Sequence, residues 1–229
     1  HFNDVYVSGG DSLSVDYYVM PYNLELARSV FAGVKPMLAC YERHFGKYAF
    51  PRDGFTLLES PYPMEHQSGV CIGRIKEEGA EYPTLLWHES AHEWWGNAIS
   101  CKDMADLWMH EAFATYAESL MIECKDGKAS AMEYLNDQKD EAGNREPVTG
   151  VYDVNHIFYN IGDMYTKGSL MLNTFRHVLN NDTLWFNLLK DIQQHFRYQT
   201  LSSGELVQYI CQRTRKDYTW FFNQYLEYA

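Results

Sequence analysis

The stretch that decides the fold is Leu86-Trp87-His88-Glu89-Ser90-Ala91-His92-Glu93, in which His88, Glu89 and His92 form an HExxH pattern. Glu111 follows His92 with 18 residues between them. Positions i and i+4 lie on the same face of a helix, so both imidazoles can converge on one cation, and a second helix can bring the Glu111 carboxylate to it. Two histidines and one carboxylate leave the fourth position of a zinc ion open, and Glu89 lies where it can deprotonate water held there. The pattern therefore predicts a water-activating zinc site.

Two other kinds of zinc site share parts of this pattern, and the sequence argues against both. A metzincin requires glycine at the position of Trp95 and histidine at the position of Ala98. A structural zinc site is closed by four protein ligands, usually rich in cysteine. The spacing and the ligand types favour a catalytic site with one Zn²⁺ per chain.

The composition of the 229-residue chain is that of a folded globular protein, with 46% hydrophobic and 22% charged residues. A formal net charge of −12 disfavours nucleic acid and anionic membranes as partners. No stretch approaches the roughly 20 apolar residues of a membrane span, and the start at His1 lacks a basic region followed by an apolar one. We expect a chain without a membrane span, cut from a longer protein, and the sequence leaves its compartment open.

The cysteines are odd in number and lack CxxC spacing. We therefore expect the cysteines to be small, mostly reduced side chains, and the sequence leaves open whether two of them form one disulfide. The five are Cys40, Cys71, Cys101, Cys124 and Cys211.

Strand patterns precede helical patterns along the chain. Alternating and short apolar runs predict strands at 12 to 20, 55 to 58 and 70 to 72, and helical spacing predicts one helix from 24 to 45, capped by Asn23 and stopped by Gly46. Later helices are predicted at 82 to 97, 104 to 125, 129 to 142, 162 to 180, 183 to 196, 203 to 215 and 217 to 227. This order is typical of the α+β class. We expect a strand-rich lobe over 1–80 and a helical zinc-binding lobe over 81–229, with the substrate held between them.

Several blocks resemble the zinc aminopeptidase family typified by aminopeptidase N, a gluzincin family that includes leukotriene hydrolase. Residues 88–97, HESAHEWWGN, are similar to the family's HELAHQWFGN, and residues 107–114, LWMHEAFA, to its LWLNEGFA. Upstream, residues 62–66, YPMEH, align with GAMEN, and residues 165–168, YTKG, with YxKG. The match includes flanking residues that zinc chemistry alone does not require.

The resemblance implies an aminopeptidase that cleaves peptides with a free N-terminus. By resemblance, Glu65 binds the substrate ammonium through a charge-assisted hydrogen bond. Glu89 acts as general base and then as acid toward the leaving amine. Tyr165 donates a hydrogen bond to the oxyanion of the tetrahedral intermediate. The implied zinc ligands are His88, His92 and Glu111.

The blocks also depart from the family pattern. His66 stands in place of the asparagine of GAMEN, Tyr62-Pro63 in place of Gly-Ala, and His110 in place of the asparagine before the third ligand. Because neighbours on a helix point about 100° apart, His110 is interpreted as a structural residue and not as a fourth ligand. Asp106 and Glu118 are both candidates for the carboxylates that orient ligand imidazoles, and the sequence does not choose between them.

The resemblance covers nearly the whole chain and implies a thermolysin-like catalytic domain, a small mixed sheet with helices followed by a mainly helical lobe. It also implies covalently linked domains outside this chain. Other functions stay open: a thermolysin-type zinc endopeptidase, epoxide hydrolysis on the same metal core, and a noncatalytic peptide-binding or scaffold domain. Cleavage of free against acetylated peptides tests the first of these, and zinc content tests the last.

Overall fold

A computed structural model describes residues 1–76, 83–154 and 163–228. The strands in this part of the chain are β1 (Phe2–Ser8), β2 (Asp11–Tyr18), β3 (Phe55–Leu58), β4 (Pro63–Met64), β5 (Gly69–Ile72), β6 (Ile99–Cys101) and β7 (Gln199–Leu201). The helices are α1 (Leu24–Phe31), α2 (Val34–Phe45), α3 (Thr84–Ala91), α4 (Trp108–Asp126), α5 (Lys128–Glu141), α6 (Gly168–Leu179), α7 (Asp182–Phe196), α8 (Ser203–Thr214) and α9 (Thr219–Leu226). None of these helices is long and apolar enough to cross a bilayer.

Five strands form one mixed sheet in the order β1-β2-β3-β5-β4. Leu13, Val15 and Tyr17 alternate along β2 and are buried, which confirms the predicted one-sided strand. β2 pairs with β3 in parallel, and such pairs need a crossover, which α1 and α2 supply. β4 pairs antiparallel with β5 and forms an edge of the sheet. A mixed sheet combined with many helices confirms the α+β class.

The helix predicted from 24 to 45 is wrong in one respect, since the chain breaks it into α1 and α2 at Ala32 and Gly33. Glycine weakens a helix interior, and Pro36 has no N–H to donate to the Ala32 carbonyl, so the turn that would join the two helices lacks support. Gly46 ends α2 with a φ of 95°, as predicted. Asn23 precedes α1 without the predicted side-chain cap, and its amide donates to Glu59.

The helix predicted from 82 to 97 ends much earlier, at Ala91, and its first predicted residue lies outside the described residues. His92 still has helical dihedral angles, and the chain then turns through 93–97. This turn requires glycine at position 96, because the φ of Gly96 is 137° and a Cβ there would lie 3.3 Å from His92 Nδ1. The chain continues into β6, which pairs in parallel with β7. Neither of these strands was predicted.

Helix α4 is the centre of the helical part and is buried along nearly all of its length. It packs against α2, α3, α5 and α6. A disulfide joins α2 to α4 through Cys40 and Cys124, with a Cα–Cα distance of 6.3 Å. The remaining cysteines are free and half-buried, namely Cys71, Cys101 and Cys211.

Candidate active site

The two helices α3 and α4 bring the three predicted metal ligands together. Glu111 Oε2 lies 3.2 Å from His88 Nε2 and 3.5 Å from His92 Nε2. One donor atom from each of these residues lies within 4.8 Å of the others. Donors about 2.0–2.2 Å from a shared tetrahedral zinc ion would be roughly 3.3 Å apart, so the donor types and their separations both fit this metal.

Hydrogen bonds at the far nitrogen of each ring hold both histidines in place. His88 Nδ1 lies 2.9 Å from Glu118 Oε1, and the Tyr134 hydroxyl donates to the other oxygen of that carboxylate. His92 Nδ1 lies 2.9 Å from the carbonyl oxygen of Trp95. Acceptors at both Nδ1 atoms place the ring protons there and leave both Nε2 atoms with a lone pair for a cation.

Burial and charge act in opposite directions on the two carboxylates beside these rings. Burial raises the pKa of Glu89 to about 7, although His88 and His92 pull it down. Burial would also raise the pKa of Glu111, but its close contacts with the two histidines outweigh this effect and lower the pKa below its usual range. Glu111 therefore has the charge of a ligand, and Glu89 has the proton affinity of a general base near neutral pH.

Glu65 follows the edge strand β4 and faces the same cavity of about 440 Å³ as the ligands. Donor atoms of Glu65, Glu89 and His92 lie within 4.8 Å of one another. Two contacts hold the segment after β4 against the turn that follows His92. The Asn97 amide donates to the Glu65 carbonyl at 2.9 Å, and the Ser68 N–H donates to Glu93 at 2.6 Å.

Tyr165 lines this cavity from a π-helical turn, Asp163–Lys167, that precedes α6. Its ring lies 6.2 Å from the His88 ring at an interplanar angle of 27°. The buried Asp163 carboxylate accepts from the backbone N–H groups of 144–146. The buried Lys167 ammonium donates to the carbonyls of 146 and 228 at 3.0 and 3.1 Å. Sequence reasoning missed Asp163, and the YxKG resemblance could not reveal that its lysine anchors the turn.

The structure separates the remaining candidates. Glu118 orients His88, as described above, whereas Asp106 accepts hydrogen bonds from Ser203 and Tyr152. The expected structural role of His110 agrees with its contact, since its Nε2 accepts from the Cys101 N–H at 3.0 Å. Within the described residues, the metal-ligand clusters at this site contain neither Asp106 nor His110.

Comparisons with known proteins place this geometry in a family. A sequence model of the peptidase family M1 domain matches residues 74–225. Aminopeptidase B of Mus musculus is 21% identical over 210 residues, covering 82% of this chain and 32% of its own length. Aminopeptidase N of Streptomyces lividans is 24% identical over 229 residues, covering 89% of this chain and 26% of its own length. This chain thus spans about a third or less of both relatives.

The fold is shared with an M1 zinc metallopeptidase from Deinococcus radiodurans, with a TM-score of 0.78 and 18% identity. That alignment covers 97% of this chain and 50% of the other. The family match extends over more than half of this chain and includes all three candidate metal ligands. The chain belongs to peptidase family M1.

Proposed function

We propose that this chain is the catalytic part of a zinc-dependent aminopeptidase that removes one residue from the N-terminus of a peptide. The proposal rests on the placement of Glu65 within 4.8 Å of Glu89 and His92. The amino nitrogen and the carbonyl carbon of one residue are about 2.5 Å apart, and each further residue adds up to roughly 3.6 Å. An ammonium bound to Glu65 therefore leaves room for one residue before the bond that is cleaved.

The metal ligands proposed for this chain are His88, His92 and Glu111. A zinc ion held by them would supply a Lewis acid and lower the pKa of a water molecule. Glu89 takes the proton of the attacking water and passes it to the leaving amine, a role suited to its raised pKa. Tyr165 donates its phenolic proton in a hydrogen bond to the developing oxyanion. Its anchored turn keeps this donor at the wall of the cavity.

The proposed division of the chain follows the same chemistry. The lobe over 1–80 supplies Glu65 for substrate recognition, and the lobe over 81–229 supplies the metal ligands, the base and Tyr165. We propose peptides with a free N-terminus as substrates, and covalently linked domains of a longer protein as partners that complete the binding cavity.

A comparison of aminoacyl anilides with their N-acetylated forms tests the proposal. The zinc-loaded chain should cleave the free forms and lose this activity with a chelator. Glu65→Gln should raise the KM for free substrates roughly 10- to 100-fold, because a charge-assisted hydrogen bond contributes about 1.5–3 kcal/mol. Equal cleavage of free and acetylated forms would support the endopeptidase instead. A chain that takes up no zinc would support the scaffold, whereas stoichiometric zinc without turnover would indicate that the linked domains are needed.

Two further variants test the assigned chemistry. Glu89→Gln should retain zinc and lose about 10²- to 10⁴-fold in turnover, because an amide cannot accept the proton. Tyr165→Phe should lower kcat by about 10²- to 10³-fold with a smaller effect on KM. Retained turnover in the first variant contradicts the base assignment, and a change confined to KM in the second contradicts the oxyanion role.

A further inference from the structure

A second group of metal-binding side chains lies between α2 and α4. Cys40 and His44 are one turn apart on α2, and Cys124 reaches them from α4. One potential ligand atom from each lies within 4.8 Å of the others. His44 Nε2 is 3.4 Å from the Cys124 sulfur. Two sulfurs and one imidazole are ligands that zinc and other thiophilic ions prefer.

His44 lacks the partners that a buried polar side chain normally has. It is 8% exposed and packs against the Phe186 ring at a centroid distance of 4.2 Å. Its Nδ1 atom has no hydrogen-bond partner among the described residues. Burial lowers the pKa of His44 to about 4, so the ring is neutral and can donate a lone pair. The Nε2 atom faces the Cys124 sulfur, so the neutral ring can offer the lone pair of this atom to an ion held by the sulfurs.

The cluster is open to solvent through a cavity of about 520 Å³ that both cysteines line. The cationic side chains of Arg43 and Lys125 also line it. Nearby positive charge favours the thiolate over the thiol, and the thiolate is the form that binds metals. The described residues lining this cavity are all different from those lining the active-site cavity. Metal and reductant therefore have a route to the cluster that does not pass through the catalytic centre.

We propose that Cys40, His44 and Cys124 form a second metal site, which takes up Zn²⁺ or another thiophilic divalent ion when the disulfide is reduced. A dithiol supplies the two electrons and is itself oxidised to a disulfide. The Cys40–Cys124 bond breaks, and each sulfur takes up one proton. On metal binding both protons leave to solvent, and two sulfur–metal bonds and one nitrogen–metal bond form. The fourth position is open to water from the cavity.

This exchange would keep α2 tied to α4 in both redox states. The disulfide joins the helices covalently under oxidising conditions, and the metal joins them through three ligands under reducing conditions. In each state the tie acts on α4, the helix that bears Glu111 and Glu118. The metal state forms only after reduction, so the site reports the redox state of its surroundings.

Cobalt titration of the whole 229-residue chain tests the proposal. Charge-transfer absorption from thiolate to Co²⁺ needs sulfur ligands, so the nitrogen and oxygen ligands of the active site do not contribute. The other cysteines are removed by C71S, C101S and C211S. After reduction with a dithiol and removal of the reductant without oxygen, this protein should develop the absorption band on addition of Co²⁺. The oxidised protein should not.

His44→Phe keeps a ring against Phe186 and should lower the affinity for Co²⁺ at least about tenfold, since even the loss of an outer partner costs that much. His177→Phe on the exposed side of α6 is the matched control and should leave the affinity unchanged. A reduced protein without the band overturns the proposal, as does equal affinity in His44→Phe. If His44→Phe does not fold, Cys124→Ser takes its place and should abolish the band. A reduced chain that unfolds and is not restored by metal also counts against the site.

Discussion

A single added methyl group at Gly168 should push α6 away from α4 at the edge of the active site. A Cβ built on Gly168 lies only 2.5 Å from the Ala112 Cβ. Carbon atoms prefer separations of about 3.5–4.0 Å, so Gly168→Ala forces these two helices apart by roughly 1 Å or more. Ala112 directly follows the proposed metal ligand Glu111, and Gly168 lies three residues after Tyr165.

The cost of this change is the difference between two opposing effects. Overpacking of a tight contact costs about 1–3 kcal/mol. Alanine in place of glycine inside a helix returns about 1 kcal/mol. We expect the free energy of unfolding to fall by about 0–2 kcal/mol, which in a chain of this size lowers Tm by roughly 2–4 °C per kcal/mol. Turnover should fall more steeply, because a shift of about 1 Å in a catalytic group can cost on the order of 10²-fold.

Denaturant unfolding and steady-state kinetics on four variants, which include Ala112→Gly alone, measure both effects. Ala112→Gly in the Gly168→Ala background removes the clash and should restore part of the lost stability, with a coupling of about 0.5–3 kcal/mol between the two sites. Gly204→Ala on α8 is the control, since its Cβ meets nothing closer than 4.0 Å and should only stabilise. A Gly168→Ala protein as stable and active as Gly204→Ala, without coupling to position 112, would falsify the steric argument.

Three further predictions concern other parts of the molecule. Glu118→Gln should weaken zinc binding by about 10- to 100-fold, because the partner of His88 Nδ1 loses its charge; unchanged affinity in a competition assay with a chelator would contradict this role. Arg176→Ala should lower the free energy of unfolding by about 1.5–3 kcal/mol, because its buried guanidinium donates hydrogen bonds to two partly exposed carboxylates; the exposed pair of Arg213 is the control, and equal effects of Arg176→Ala and Arg213→Ala on urea midpoints would refute the difference. The protein should lose stability as the pH falls from about 6.5 to 4, because burial lowers the pKa of His44 to about 4 and only the unfolded chain then takes up a proton on this ring. In urea unfolding across this range, His44→Phe should lack the corresponding dependence of stability on pH.

The arrangement of the HExxH residues was predictable because helical periodicity determines it. His88, Glu89 and His92 lie within one turn and a half, so their mutual placement depends little on the rest of the chain. The choice between Asp106 and Glu118 was also within reach of such reasoning. Glu118 lies seven residues, two turns, after Glu111 and therefore on the same face of α4, whereas Asp106 precedes that helix.

Features made by distant parts of the chain could not be predicted in this way. β6 and β7 are three residues long and pair across about a hundred intervening positions, so neither has a recognisable local pattern. The pairing of Cys40 with Cys124 depends on how α2 packs against α4, and spacing alone does not specify it. The end of α3 at Ala91 depends on backbone bonds of the following turn, which include Gly96 N–H to Ile99 O at 2.8 Å. Helical propensity does not report such competition.

The buried ammonium of Lys167 makes the lifetime of the catalytic geometry depend on remote segments of the backbone. It donates to the carbonyls of Glu146 and Tyr228. One side chain therefore binds the turn that bears Tyr165 to the backbone near 146 and near 228. Local opening of the chain after α9 would remove one of the two carbonyls that hold this ammonium and loosen the turn without any global unfolding. Amide hydrogen exchange near residue 228 should therefore slow when an inhibitor immobilises Tyr165. Exchange in this peripheral segment would then report ligand binding at the candidate active site.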